Sequence, residues 1–281
     1  MKPAAFDYER ADSAEAAVAT LAQFGDDARI LAGGQSLMAM LNMRLAQVQR
    51  LVDISRSPSL STVCVEAGAL RVGAAATQAN VECRPELACE SPLLALAFPY
   101  ISHFQIRNRG TVVGSIAHAD PSAELPLCLL ALGGDVRLCS ARGARDVPAA
   151  DFFTGLMSTA RADDEMIESV RFPLATAGSG YGFEEFSRRH GDFALCAVAV
   201  VARAGRLRIA VGGVADRPLA RDYPVLDGSA LDDALNEFAW SLDLRDEPQA
   251  SAALRRRLVR ELGRRTITQA LASSSSPRSS S

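Results

Sequence analysis

Hydrophobic positions along this chain fall into short blocks whose period switches between helical and extended. Ala14, Ala17, Val18, Leu21 and Phe24 recur at helical spacing after Asp12-Ser-Ala-Glu15, a capping-box-like start, and Gly25 ends that helix. Ala28-Arg-Ile-Leu-Ala32 reads as a strand, Leu37 to Met43 as a short helix with Ser36 as its N-cap, and Leu51-Val-Asp-Ile54 as a second strand. The region is a small β-α-β unit, with Met38, Met40 and Met43 packing its core. From Thr62 the pattern turns to short strands. Residues 69–76 form one, Thr77 opens a helix through Glu82, and Leu93, Leu94, Leu96 and Ala97 mark another that leads to Phe98-Pro-Tyr100. A helix over 123–132, a strand over 135–139, a turn at Gly143 and an alternating strand over 166–172 complete this part.

Ala175-Thr-Ala-Gly-Ser-Gly180 is small and flexible, and a domain boundary is expected there, dividing residues 1–174 from 178–272. Beyond it, 181–187 alternates as a strand, and 195–203 and 207–214 form two more joined by the hairpin signal Ala204-Gly205. Two helices follow, over 229–242 and 248–271. Leu254, Leu258 and Leu262 are expected on the buried side of the last, and Arg255, Arg256, Arg257, Arg260, Arg264 and Arg265 on a solvated face. Residues 273–281 read as a disordered polar tail.

Composition narrows the class. The chain has 281 residues, enough for two domains, and is 48% hydrophobic, 22% charged and only 6% aromatic, which leaves alanine, valine and leucine to fill the core. A net charge of −3 gives no bulk attraction to nucleic acid. No apolar run reaches membrane-spanning length, and Met1-Lys-Pro-Ala-Ala-Phe-Asp7 carries no apolar signal region. Cys64, Cys83, Cys89, Cys128, Cys139 and Cys196 show no C-x-x-C and no zinc or iron–sulfur spacing. Several lie in apolar runs, which suits buried thiols in a reducing cytoplasm. His103, His118 and His190 are far apart in sequence, and no metal pattern joins them. No Ser/His/Asp or Cys/His constellation marks a catalytic residue.

Two stretches carry candidate chemistry. In Arg109-Gly-Thr-Val-Val-Gly-Ser115 the small residues let a backbone approach a ligand, while Thr111, Gly114 and Ser115 offer the donors that a phosphate needs. Asp120 and Glu124 follow as acceptors for hydroxyl or ring N–H groups. Donors first and acceptors after is the polarity expected for a nucleotide cofactor. Taken alone, the stretch also reads as a polar turn before a helix near Ser122. The second stretch, Ala32-Gly-Gly-Gln-Ser36, sits between a strand and a helix start, an arrangement that aims free N–H groups at an anion. It is neither a Rossmann fingerprint nor a P-loop. Two such loops are best explained by one extended ligand lying between them.

Ala32-Gly-Gly-Gln-Ser-Leu37, Asn42-Met-Arg-Leu45 and Leu51-Val-Asp-Ile54 together resemble the first FAD loop of the medium subunits of molybdenum hydroxylases, the carbon monoxide dehydrogenase and xanthine dehydrogenase family. Ile106-Arg-Asn-Arg-Gly-Thr111 through Asp120-Pro121 resembles their second FAD loop. Asp164 to Pro173 and Phe186 to Ala194 are similar to later family segments, so the resemblance runs from about Phe6 to Leu271.

The resemblance implies an α+β fold: a two-part FAD-binding domain of the vanillyl-alcohol oxidase (PCMH) type, then a smaller C-terminal domain with an antiparallel sheet and helices. It implies that Ala32, Gly33, Gly34, Gln35 and Ser36 line the FAD diphosphate and that Thr111, Val112, Val113, Gly114 and Ser115 hold its other side. Asp120 and Glu124 match acidic positions that contact ribityl or adenosine hydroxyls. Ile167, and more weakly Ile101, match positions beside the flavin ring. FAD is expected to be non-covalent, because Gln35 stands where covalent flavoproteins of this fold place histidine or cysteine. The implied function is an electron relay without a metal in this chain. A large molybdopterin subunit hydroxylates the substrate, a small subunit with two [2Fe–2S] clusters passes electrons on, and FAD delivers them to a final acceptor. The expected assembly is a cytoplasmic heterotrimer or a dimer of heterotrimers. Alternatives are a stand-alone FAD oxidoreductase of the same fold and a scaffold that has lost its flavin.

Three positions depart from the family pattern: Val113 in place of a glycine, Ser102 where a glycine often precedes the loop, and Gln78 after Thr77 where histidine is frequent. If the glycine serves a positive φ or makes room for the diphosphate, Val113→Gly is expected to tighten FAD binding. If Val113 is in an ordinary extended conformation and points away, glycine binds no better.

Overall fold

The computed structural model describes residues 2–275. Among the described residues three larger sheets follow one another along the chain, beside one short two-stranded pair. The first is built from β1 (Asp7–Arg10), α1 (Ala14–Phe24), β2 (Ala28–Leu31), α2 (Leu37–Asn42) and β3 (Arg50–Asp53). Its strands are parallel in the order β1-β3-β2, with Leu51 and Val52 of the central strand buried. Ser13, not Asp12, caps α1, its hydroxyl accepting from the Ala16 N–H at 3.3 Å. Leu41 is buried beneath this sheet, whereas Met43 is exposed at the end of α2, so the methionines do not all pack the core.

The middle of the chain holds β4 (Val63–Glu66), β5 (Ala69–Gly73), α3 (Gln78–Glu82), α4 (Leu87–Glu90), α5 (Pro92–Ala97), α6 (Phe104–Arg107), α7 (Val112–His118) and α8 (Glu124–Leu132). β6 (Asp135–Ser140), β7 (Gly143–Pro148), α9 (Ala149–Phe152), the short pair β8 (Phe153–Gly155) and β9 (Ser158–Thr159), and β10 (Met166–Pro173) follow. The main sheet is antiparallel in the order β4-β5-β10-β6-β7. β10 lies at its centre, which is why 166–172 is more buried than a half-buried alternating strand. α8 is buried from Glu124 to Ala131, the signature of a helix covered on all sides.

The third sheet runs in sequence order through β11 (Gly180–Phe186), β12 (Cys196–Arg203), β13 (Arg206–Gly212) and β14 (Leu219–Pro224), followed by α10 (Gly228–Ser241) and α11 (Ala252–Ser275). Ala204 and Gly205 turn the β12–β13 hairpin with φ of 47° and 73°. One face of the sheet turns Phe183, Ala197, Ala199 and Ala210 into the same core as α5 and α8. The other packs Val198, Val200, Ile209 and Val211 against Leu235, Phe238, Val259 and Leu262 of α10 and α11. A sheet covered on both faces explains the near-continuous apolar run of β12.

The last helix departs from its expected pattern. Leu254 is exposed, and Val259, Leu262, Ile267 and Ala270 form the buried side. Arg255 is buried, donating to Glu247 Oε2 at 2.6 Å and the Arg245 carbonyl at 3.2 Å, so it is not part of a solvated face. α11 continues to Ser275, and Ser273 Oγ accepts from the Tyr181 N–H at 2.9 Å, so the tail does not begin at 273. Residues 276–281 of the expected tail lie outside the described residues. Cys128 and Cys196 are buried as expected, while Cys83 and Cys89 are exposed. Among the described residues no helix is long and apolar enough to cross a membrane.

α11 lies so close to β11 that a Cβ at Gly182 would sit 2.3 Å from the Thr266 carbonyl oxygen. Gly182→Ala is therefore expected to lower stability by about 1–3 kcal/mol, measured as a shift in the urea midpoint at constant slope. An unchanged midpoint would show that the helix yields freely at this contact.

Candidate functional site

β2 ends at Leu31 and delivers the chain to a turn over 32–36. Gly34 takes a φ of 71°, a conformation that favours glycine. Gly33 is under a harder constraint. A Cβ there would lie 2.1 Å from the Arg109 carbonyl oxygen and 2.7 Å from Gly110 Cα, so only glycine lets the two segments touch. Among the described residues, the main-chain N–H groups of Gly33, Gly34, Gln35 and Ser36 meet no acceptor. Gln35 folds back, its Nε2 donating to the Gly33 carbonyl at 3.1 Å. Ser36 occupies the N-cap position of α2, yet its side chain makes no capping bond, which leaves the exposed hydroxyl free of that duty.

These residues line a cleft of about 410 Å³ together with Asn42, Asp53, Ser55 and Arg109. Asp53 is held in place, its Oδ2 accepting from the Tyr8 hydroxyl at 2.5 Å and its Oδ1 from the Ser55 N–H at 2.8 Å. Asn42, Asp53, Ser55 and Arg109 were not among the candidate residues, although each lies in or beside a quoted segment. A separate cleft of about 400 Å³ between α8 and β14 contains none of the candidates.

The second segment is not a loop. Thr111 caps α7, its Oγ1 accepting from the Gly114 N–H at 2.9 Å, and residues 112–118 are helical. Val112 and Val113 are buried in the main core. The Val112 N–H is taken by the Ala76 carbonyl at 3.3 Å and that of Ser115 by the Thr111 carbonyl at 3.2 Å. Among the described residues, the Val113 N–H remains without an acceptor, and the Thr111 hydroxyl keeps its hydrogen to donate. The positive-φ account of Val113 is thereby excluded. The left-handed residues near this segment are Ser102, at φ 44°, and Ala119, at φ 51°, which ends α7. Gln78 backs the segment, its N–H donating to the Gly110 carbonyl at 2.8 Å while its Oε1 is buried without a partner among the described residues.

Ile101 and Ile167 are both buried and neither lines the cleft. Arg107 fixes the first: it pairs with Glu82 through two bonds of 2.6 and 2.9 Å and donates to the Ile101 carbonyl at 2.7 Å. A register shift between Ile167 and Ser169 breaks the regular pairing of β10 beside the second. Asp120 Oδ1 accepts from the Ser122 N–H at 2.8 Å, and the next carbonyl, of Pro121, accepts from Gly213 at 2.7 Å, which ties this turn to the third sheet. Glu124 is buried at the start of α8; burial, and then the Asp120 charge, push its carboxyl up to about 7. Glu185, which sequence reasoning missed, reaches the same region from β11. Both its carboxylate oxygens are buried without a hydrogen-bond partner among the described residues, and burial, then the Glu124 charge, push it up to about 8. No pattern in the sequence marks it, because its placement depends on how the third sheet packs.

A glycine cradle, a row of free N–H groups, a free hydroxyl and an arginine fit a diphosphate, and buried carboxyls fit sugar or ribityl hydroxyls. The model of the FAD binding domain in molybdopterin dehydrogenase matches residues 4–175, and that of the CO dehydrogenase flavoprotein C-terminal domain matches residues 181–270. The chain belongs to the FAD-binding medium subunits of the molybdenum hydroxylases. The nicotine 6-hydroxylase medium subunit of Paenarthrobacter nicotinovorans is 42% identical to it over 259 residues, covering 87% of this chain and 90% of that one. The carbon monoxide dehydrogenase medium chain of Hydrogenophaga pseudoflava is 37% identical, with 79% of each chain covered. Reconstituted CO dehydrogenase from Oligotropha carboxidovorans has a chain of the same fold, with a TM-score of 0.92 at 32% identity, covering 97% of this chain and 100% of that one. This medium subunit thus takes FAD as its cofactor and serves as the electron-transfer part of an oxidoreductase.

Because Val113 is a buried helical residue, Val113→Gly is expected to lose roughly 2–4 kcal/mol of stability through cavity formation and helix propensity, with no gain in FAD affinity. Tighter FAD binding in titrations of the glycine variant would contradict this. Glu185 supplies a second test. Its raised pKa means that the folded protein without FAD holds a proton which the unfolded chain releases, so its contribution is full below the ordinary glutamate range and is lost as pH rises through about 8. The melting temperature of FAD-free Glu185→Gln should decline less over that window than that of the wild type; parallel curves would count against a buried, unpaired carboxyl.

Proposed function

We propose that the FAD diphosphate lies between the turn at 32–36 and the first turn of α7. Gly33, Gly34, Gln35 and Ser36 offer main-chain donors on one side, with Ala32 lining the wall. On the other side Thr111 donates its hydroxyl hydrogen and Val113 its N–H, Gly114 and Ser115 shape the surface, and the buried Val112 anchors the turn in the core. The observation that supports this reading is the contact of Gly33 with Arg109 and Gly110, because it joins the turn at 32–36 to the segment that leads directly into α7; of that segment Arg109 lines the cleft, whereas 111–115 do not. Asp120 and Glu124 accept from ribityl or adenosine hydroxyls, and Ile101 and Ile167 flank the ring.

When bound, FAD supplies a redox centre that takes electrons from the iron–sulfur clusters of a partner and yields them to a terminal acceptor. The chain's own part is to bind, orient and exclude water. We assign residues 1–174 to FAD binding and 178–272 to a C-terminal domain that closes over the carboxyl end of the site. The expected assembly is one large molybdopterin subunit, one small iron–sulfur subunit and this chain, as a heterotrimer or its dimer, in the cytoplasm. Relatives in nicotine and carbon monoxide oxidation are similarly close to this chain. The substrate is therefore chosen by the molybdopterin subunit.

Acid precipitation of the purified protein should release yellow FAD to the supernatant, since Gln35 offers no attachment chemistry. Colour retained in the pellet would refute non-covalent binding, and FMN in the supernatant would refute the diphosphate assignment. Affinity purification from native extracts should recover molybdenum- and iron-containing partners, whereas a stable lone monomer there would refute the relay.

A further inference from the structure

The segment Ile106-Arg-Asn-Arg-Gly110 carries two arginines two residues apart, and nothing in the sequence divides their roles. The structure does. Arg107 is spent: both ends of its fork hold Glu82, and it also donates to the Ile101 carbonyl. Arg109 is exposed, lines the cleft, and makes no ion pair or hydrogen bond through its side chain with any described residue. The one carboxylate on the cleft wall, Asp53, already accepts from Tyr8 and Ser55 through separate oxygens and does not pair with Arg109. Arg109 is also the residue whose carbonyl rests on Gly33, so its Cα is fixed beside the free N–H row of 33–36.

We infer that Arg109 is the cation that pairs with the FAD diphosphate and selects FAD over flavins that lack it. The inference rests on the placement of the diphosphate given above. A guanidinium fork matches two phosphate oxygens, and its charge offsets what main-chain N–H groups alone leave unbalanced. Arg107 is the positioning residue that holds the segment so that Arg109 faces the cleft. Ile101 and Ile167, the positions assigned to the flavin ring, do not line this cleft, so Arg109 should contribute nothing to binding riboflavin.

The test is a titration of the deflavinated full-length chain with FAD and, separately, with riboflavin, for wild type, Arg109→Gln and Arg109→Lys. Circular dichroism melts check that the variants fold. Arg109→Gln should weaken FAD by about ten- to hundredfold, the worth of a charge-assisted pair, and leave riboflavin unchanged. Its FAD affinity should also fall less with added salt than that of the wild type. Arg109→Lys should recover part of the loss. Equal FAD affinity in wild type and Arg109→Gln would overturn the proposal alone. Parallel loss of FAD and riboflavin would make Arg109 a structural residue and also overturn it. A wild type that binds riboflavin as well as FAD would overturn the diphosphate placement and this inference with it.

Discussion

The whole site depends on one close approach between backbones. Gly33 and the Arg109–Gly110 peptide come from segments 76 residues apart by number, 109 less 33, and they meet with no room for a methyl group. Each segment is braced from behind. β2 pairs with β3 beneath the first, and the buried Gln78 and the Arg107–Glu82 pair hold the second. The approach is therefore set by rigid elements, and the donors of the cleft are in place before a ligand arrives, which spares the ordering cost of binding.

Much of this was legible in the chain, and the reasons differ from place to place. The glycine turn at 32–36 was readable because glycine, strand and helix start are local signals. The second segment was misread because a helix of seven residues capped by Thr111 leaves the same small-residue pattern as a loop. Val113 looked like a defect in sequence and is a core residue in space, while the neighbouring departure, Ser102, carries a left-handed backbone. Arg109 and Glu185 were invisible for another reason. Their importance lies in what they fail to contact, and partnerlessness is a property of the folded state.

The fold was readable where burial writes a pattern. β12 and β13 and their Ala204-Gly205 turn stand in the sequence as apolar runs around a hairpin signal. β1, β7 and β14 do not, because Asp7-Tyr-Glu-Arg10, Gly143-Ala-Arg-Asp-Val-Pro148 and Leu219-Ala-Arg-Asp-Tyr-Pro224 are edge strands with little to bury. The last helix was misphased for the opposite reason. Arg255 is buried against Glu247 and Leu254 faces water, so polarity and exposure are exchanged at two neighbouring positions.

The position of α8 has a consequence for how the protein is made. One side of that helix is covered by the middle of the chain, but the other is closed by β12, β13 and β14, where Gly212 comes to rest against Leu127. On the ribosome those strands emerge after α8, so an unfinished chain shows an apolar helix to the cell. Chaperones and proteases recognise such surfaces, and truncated products are thereby distinguishable from finished ones. Completing the third sheet covers that surface, so the packing of α8 is finished only once the C-terminal part of the chain has been made.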